Sequence, residues 1–131
     1  MVKAEWRVGG AGREVLLNRP EKRNALDAEM MAELKAAFTA PPAPTERVAV
    51  VRAAGPVFCA GLDMKEGAAK PIGISPIEEM LHTIETYPLP VVAVVQGDAI
   101  AGGTELALHC DLVVASTAAR FGMSLAQIGL A

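Results

Sequence analysis

Residues 91–108 have the sequence VVAVVQGDAIAGGTELAL, and this stretch decides the fold class. Its first five residues form an uninterrupted, mostly β-branched run, which is typical of a strand buried on both faces. The chain then turns at Gly97, and Gly102 and Gly103 precede a segment of helical character. A strand, a turn and a helix in this order indicate an α/β fold with crossover connections.

The same order of elements recurs on either side of this stretch. Residues 15–17, 47–52 and 112–115 are predicted strands, and residues 77–87 form an amphipathic helical pattern closed by prolines. Asp27 is placed to cap a further helix, whose apolar residues recur at Met30, Met31, Leu34 and Phe38. The sequence therefore predicts a single domain over residues 1–131.

Composition excludes several classes of protein. The 131 residues are 52% hydrophobic, with 12 basic and 15 acidic side chains and a net charge of −3, so no basic stripe indicates nucleic-acid binding. The first residues resemble no secretory signal, and the longest apolar run is too short to span a bilayer, which favours a cytoplasmic protein. Cys59 and Cys110 lack metal-ligand spacing, and we expect buried free thiols. No metal site is predicted.

A second glycine-bearing turn lies about 40 residues before Gly102, in residues 58–65, FCAGLDMK. Two backbone amides that converge from separate loops on one carbonyl oxygen would form an oxyanion hole, and Glu105 would lie beside it to move a proton. That combination suits chemistry on a thioester enolate. Either glycine segment alone is more simply explained as a turn or a close backbone contact.

Four segments, in order, resemble motifs of the enoyl-CoA hydratase/isomerase (crotonase) family. Residues 18–26, NRPEKRNAL, and residues 58–66 are similar to the two coenzyme A segments of that family. Residues 95–107 are similar to its helix-opening motif, and residues 111–115 followed by Phe121 and Gly122 also match. The resemblance implies a crotonase-like α/β fold, a spiral of repeated ββα units, here incomplete at its C-terminal end.

The resemblance also implies roles for individual residues. The amides of Leu62 and Gly102 would bind the thioester oxygen, and Glu105 corresponds to the first of two catalytic glutamates of the hydratases. Coenzyme A would lie along the residues of the first two segments, with Arg23, or alternatively Lys22, near a phosphate. It is part of the substrate, and no separate cofactor is implied. The implied contacts to adenine and pantetheine are Ala25, Ala60, Asp63 and Met64.

Leu125 departs from the hydratase pattern. It occupies the position of the second catalytic glutamate, four residues after Phe121, and it is implied to line the substrate pocket. Leucine cannot deprotonate water, and the nearby Ser124 and Gln127 are not strong bases. The departure argues against ordinary hydration and leaves four alternatives: isomerisation, decarboxylation of a malonyl-type thioester, slow hydration, or an acyl-CoA-binding subunit without catalysis.

The remaining predictions concern other polar residues and assembly. His82 and His109 have no partner at motif spacing and are expected to be structural, and Asp98 is expected to stabilise a turn. Chains of this family are about twice as long and take part in fatty acid metabolism. The resemblance therefore implies an acyl-CoA partner and a homo-oligomer, a trimer or hexamer, with the option that a second chain supplies the missing half.

Overall fold

A five-stranded sheet forms the centre of the molecule. The structure, a computed structural model, describes the backbone of residues 2–7 and all atoms of residues 11–63 and 75–123. Its ten labelled elements follow one another along the chain as β1 (Val2–Arg7), β2 (Gly12–Leu17), α1 (Ala28–Ala37), β3 (Val48–Ala53), α2 (Pro76–Glu85), β4 (Val91–Val95), β5 (Ala99–Ile100), α3 (Gly102–Leu108), β6 (Leu112–Ala115) and β7 (Phe121–Gly122).

The sheet order is β1-β2-β3-β4-β6, and only β1 runs antiparallel to its neighbour. Each parallel pair is joined by a crossover that contains a helix, as parallel pairing requires. Crossovers that advance in one direction place their helices on one face of the sheet. Strand burial agrees, because β4 alternates between fully buried and half-buried residues. The prediction that this strand is buried on both faces is therefore only half correct.

The core lies between the sheet and the helices. Helix α1 buries Met30, Met31 and Leu34, and α2 buries Met80, Leu81 and Ile84, so the predicted apolar stripes face inward. Asp27 caps α1, since its carboxylate accepts a hydrogen bond from the amide of Met30 at 2.7 Å. Ser75 caps α2 in the same way. Phe38 and Tyr87 close the core with an edge-to-face contact at 5.2 Å.

The parallel strands direct their carboxyl ends to one edge of the sheet. The loops after β2, β3, β4 and β6 all leave from this edge, and backbone hydrogen bonds join them where they begin. The amide of Ala54 donates to the carbonyl of Leu17, and that of Ser116 donates to Val95, both at 2.9 Å. In α/β sheets this edge is where ligands bind. The first three motif segments follow β2, β3 and β4 at this edge, and the fourth forms β6 and β7.

Two features of the fold were not predicted from the sequence. Strand β1 is one, and the small parallel sheet of β5 and β7 is the other. Both strands of that second sheet have two residues, which is too short for a periodic pattern to be recognised. Strand β6 was predicted, but all four of its residues are exposed.

Candidate active site

The two predicted coenzyme A segments form one continuous surface. The amide of Leu26 donates to the carbonyl of Gly61 at 2.7 Å, and the amide of Asp63 donates back to Leu26 at 2.9 Å. The amide of Ala60 donates to the carbonyl of Arg23 at 3.0 Å. These bonds give an isolated parallel bridge between Leu26 and Leu62. The structure thus brings together residues that lie more than thirty positions apart.

Asn24 anchors the first segment. Its side chain is fully buried, and its amide nitrogen donates to the carbonyls of Ala54 at 2.9 Å and Val57 at 3.0 Å. Its side-chain oxygen accepts from the amide of Arg19 at 2.8 Å. The backbone of Asn24 has a φ of 55°, a left-handed conformation that asparagine tolerates better than most residues. Every polar atom of this buried side chain is therefore used to hold the loop.

Arg19 is a structural centre that sequence reasoning missed. Its guanidinium lies 3.2 Å from the carboxylate of Asp63 and 3.3 Å from that of Asp27, and it donates to the carbonyl of Ala25 at 3.1 Å. These groups are largely buried, so the contacts are stronger than exposed ion pairs. Asp27 and Asp63 are the residues that could have indicated this role. Their spacing from Arg19 along the chain is not periodic, so no local pattern predicts the contact.

Gly61 and Gly102 bring the second segment against the start of α3. Gly61 has a φ of 93°, and a methyl group on it would lie 2.9 Å from the carbonyl oxygen of Ile100 and 3.3 Å from the Gly102 nitrogen. A methyl group on Gly102 would lie 3.5 Å from the Leu62 nitrogen. The two predicted oxyanion segments are therefore in contact, and only glycine at position 61 satisfies both the conformation and the space.

The amides of Leu62 and Gly102 have no hydrogen-bond acceptor among residues 11–63 and 75–123. In the bridge with Leu26, the neighbours of Leu62 make the bonds, so its own N–H is directed away from that strand. The amide of Gly102 precedes the first intrahelical bond, which runs from Glu105 to the carbonyl of Ala101 at 3.0 Å. Two unpaired donors thus come from adjacent segments.

Glu105 is half-buried on α3. Its carbonyl accepts hydrogen bonds from the His109 amide at 3.0 Å and from the Nδ1 of His109 at 2.7 Å. This fixes the ring of His109 to the helix backbone, as expected of a structural histidine. In the part of the chain that the structure describes, the carboxylate of Glu105 makes no hydrogen bond or ion pair. The side chain is therefore not committed to holding the fold.

The buried cysteines are free thiols, as predicted. Burial raises the pKa of Cys59 to about 11 and that of Cys110 to about 12, so both stay protonated at neutral pH. The thiol of Cys59 donates to the carbonyl of Asn24 at 3.2 Å, and a methyl group on Gly103 would lie 2.1 Å from the Cys59 carbonyl oxygen. Cys59 therefore packs between Asn24 of the first coenzyme A segment and Gly103 at the start of α3.

The other predicted residues divide into three groups. Ala25 and Ala60 are half-buried in the joined segments. Arg23 and Lys22 are exposed on the rim of the same surface, whereas the carboxylate of Asp63 is held by Arg19. Met64 and Leu125, with Ser124 and Gln127, lie outside the described residues.

Asp98 stabilises a turn, as predicted, and its partner is Arg120. The Arg120 side chain donates at 3.0 Å to one carboxylate oxygen and at 3.4 Å to the other. These bonds from Arg120 lower the pKa of Asp98, and the same pair raises the pKa of Arg120. The pair joins the loop before β5 to the residue before β7, beside the start of α3.

Comparison with known proteins identifies the family. The model of the family described as enoyl-CoA hydratase/isomerase matches residues 12–131. The chain belongs to the enoyl-CoA hydratase/isomerase family. The crystal structure of an enoyl-CoA hydratase from Mycobacterium smegmatis superimposes with a TM-score of 0.89 at 35% identity, covering 98% of this chain and 52% of that one. The resemblance inferred from four motifs and the crotonase-like fold are both confirmed.

The curated relatives include one named as a hydratase and one named as an isomerase/hydratase. An enoyl-CoA hydratase of Mycobacterium tuberculosis is 38% identical over 126 residues, covering 88% of this chain and 47% of that protein. An enoyl-CoA isomerase/hydratase of Mycosarcoma maydis is 35% identical over 131 residues, covering 88% of this chain and 48% of that protein. The chain thus spans about half the length of the curated relatives it matches. No helix within the described ranges has the length and apolar character needed to cross a bilayer.

Proposed function

We propose that this chain carries the thioester-binding half of an acyl-CoA enzyme of the enoyl-CoA hydratase/isomerase family. The amides of Leu62 and Gly102 donate hydrogen bonds to the thioester oxygen and stabilise the enolate, and Glu105 moves the proton. The observation that carries the proposal is the contact of the Leu62 and Gly102 segments, with both N–H groups unpaired in the described part of the chain. Family membership supplies the substrate class.

The chemistry follows from where charge develops. Removal of a proton next to the thioester carbonyl leaves an electron pair that moves onto the carbonyl oxygen. Two fixed N–H donors stabilise that oxygen more than they stabilise the neutral carbonyl, which lowers the barrier. The half-buried carboxylate of Glu105 is free to accept the proton and return it at another carbon, which is the course of a double-bond shift.

Coenzyme A is proposed to lie along the surface formed by Ala25, Ala60 and Asp63, and Met64, which lies outside the described residues, is proposed as a further contact. Small side chains and backbone atoms there allow an extended ligand to approach closely. Arg23 lies on the rim, and among the described residues its guanidinium has no ion-pair partner. This position supports the proposal that Arg23 contacts a phosphate of the ligand.

Calorimetric titration with coenzyme A and with acetyl-CoA tests this binding surface. Arg23→Ala should weaken binding of both ligands about tenfold, because a charge-assisted contact to phosphate is lost. Arg47→Ala is the matched control, since Arg47 precedes β3 at the amino edge of the sheet and its guanidinium donates, among the described residues, only to the carbonyls of Pro44 and Glu46. Absence of binding by the wild-type chain, or equal losses in both variants, would contradict the proposal.

The malonyl-type decarboxylase remains a second candidate, and Leu125 is the observation that favours it. In that reaction the bond to the carboxylate breaks, carbon dioxide leaves, and the electron pair forms the enolate that the two amides hold. No second carboxylate is needed. Crotonyl-CoA hydration tests the argument from Leu125: Leu125→Glu should raise a low rate, whereas efficient hydration by the wild-type chain would contradict that argument.

A further inference from the structure

The turn before α3 has an unusual backbone. Ala101 has φ 49° and ψ −111°, a conformation that glycine adopts freely and other residues rarely adopt. Such a conformation persists only where the surrounding structure holds it. Ala101 directly precedes Gly102, so its backbone angles determine the direction of the Gly102 N–H.

Thr104 lies where it can hold this turn. Its side chain is buried, with 7% exposure, and its hydroxyl donates to the carbonyl of Ala99 at 2.7 Å. The same oxygen accepts from the amide of Gly122 at 3.2 Å, while the carbonyl of Gly122 accepts from the amide of Ala101 at 2.7 Å. The hydroxyl of Thr104 thus bonds both to Ala99 in β5, two residues before Ala101, and to Gly122 in β7.

We propose that Thr104 is a positioning residue, whose hydroxyl holds the strained turn at Ala101 and thereby directs the Gly102 amide toward the thioester oxygen. The inference rests on the proposed function, in which that amide is an oxyanion donor. The hydroxyl of Thr104 is bonded to Ala99 and Gly122, so its proposed effect on the substrate is indirect. Its neighbour Gly103 is packed against the Cys59 carbonyl, so the helix start has little freedom to compensate for a lost bond.

The first test needs no substrate. In the free, full-length chain, Thr104→Val keeps the shape of the side chain and removes the hydroxyl, while Thr104→Ser keeps the hydroxyl. In the valine variant only, the backbone resonance of Gly102 should shift, and hydrogen exchange of the Ala101 amide, which donates to the carbonyl of Gly122, should quicken about tenfold. Thr83→Val, which removes a half-buried hydroxyl from α2, is the control and should leave Gly102 unchanged.

Ala101→Gly tests the link through the strained turn. In the Thr104→Val background it should restore most of the Gly102 resonance, because glycine adopts the turn without cost. With Thr104 present, Ala101→Gly should raise the thermal midpoint by a few degrees, which can be measured even if Thr104→Val does not fold. An unchanged or lower midpoint, or no restoration, would overturn the role of Ala101.

The second test measures the bound substrate. Difference infrared spectra of acetyl-CoA should show a carbonyl stretch lowered in the wild-type complex and nearer the free value with Thr104→Val, with coenzyme A affinity unchanged. A Gly102 amide that is unaffected by Thr104→Val, or a serine variant as impaired as the valine one, would overturn the inference. Failure of the wild-type chain to bind acetyl-CoA would instead overturn the proposed function, and the free-protein spectra would still decide the role of Thr104.

Discussion

At the scale of single residues, the site consists of backbone donors and one uncommitted carboxylate. Leu62 contributes its amide, and its side chain is 42% exposed, so this residue is not held in place by burial. It is held by the bridge to Leu26 and by the preceding Gly61. The chemistry proposed for the site therefore depends on small residues that let backbone segments approach, and on Glu105.

Glu105→Gln separates a catalytic glutamate from one that merely favours the helix. As the proton-transfer group it should contribute about 100- to 10,000-fold in rate, whereas a first-turn charge contributes at most about 1 kcal/mol to stability. Turnover should fall steeply and the thermal midpoint should hardly change. Glu78→Gln, also in the first turn of a helix, is the control. Undiminished turnover would indicate that the amides alone carry the reaction, as in a decarboxylase.

Gly102→Val tests the oxyanion donor. A methyl group on Gly102 would already lie 3.1 Å from the Cδ1 of Ile77, so the larger side chain should displace the amide. Loss of one such donor costs about 3 kcal/mol of transition-state stabilisation, which is about 100-fold in kcat/KM. Gly12→Ala in β2, where the added methyl meets Val48 at 3.4 Å, should keep wild-type kinetics. Equal activity of the two variants would place the hole elsewhere.

At the scale of elements, caps and ion pairs connect the helices to the site. Asp27 directly follows the first coenzyme A segment and is the N-cap of α1, so it contacts both. Its carboxylate caps the helix and also lies beside Arg19, which in turn holds Asp63. The helix therefore starts at a place that is tied to the surface proposed to bind coenzyme A.

Two substitutions of Asp27 distinguish these tasks. Asp27→Ala removes the cap and the ion pair and should lower the free energy of unfolding by about 1–2 kcal/mol. Asp27→Asn retains a capping oxygen and should lower the free energy of unfolding by less, but it removes the charge that pairs with Arg19. Urea unfolding measures both. An asparagine variant as unstable as the alanine variant would show that the charge, and not the cap, is what matters at this position.

At the scale of the whole molecule, the sheet has one well-covered face and one exposed end. The exposed end is β6, where Leu112, Val113 and Val114 are 62%, 38% and 59% exposed. Patches of this kind mark interaction surfaces. The prediction of a homo-oligomer or of a second chain remains a prediction, and the relatives that the chain matches are about twice its length.

The buried thiols make the stability of the whole fold depend on pH. Cys59 has a pKa of about 11 in the folded chain against an ordinary value of 9.0, because burial disfavours the thiolate. The unfolded chain therefore releases this proton first, and stability is complete below pH 9 and falls as the pH rises from 9 to 11. The loss should be about 3 kcal/mol.

Urea unfolding at pH 8 and pH 10.5 tests this dependence. The wild-type chain should lose more stability across this interval than Cys59→Ala, which lacks the titrating group. Since other groups also ionise at high pH, the difference between the two chains is the relevant quantity. Equal losses in both would contradict a buried, protonated thiol at Cys59.

Local sequence patterns were enough to predict the class of fold, the family and the order of the motif segments. Apolar periodicity marked α1, α2 and β4, and Asp27 marked the start of a helix, because caps and amphipathic stripes depend on residues only a few positions apart. The residues proposed for the oxyanion hole, Leu62, Gly102 and Glu105, were likewise named from their motifs.

Which of these residues come into contact depends on how the sheet assembles. The contact of Gly61 with Gly102, the pairing of Arg19 with Asp63, and the hydroxyl of Thr104 between Ala99 and Gly122 join segments brought together by the parallel sheet. Such contacts depend on strand order and register, which no local pattern encodes. The left-handed turn at Ala101 is the clearest case, because alanine does not favour it and the surrounding hydrogen bonds impose it.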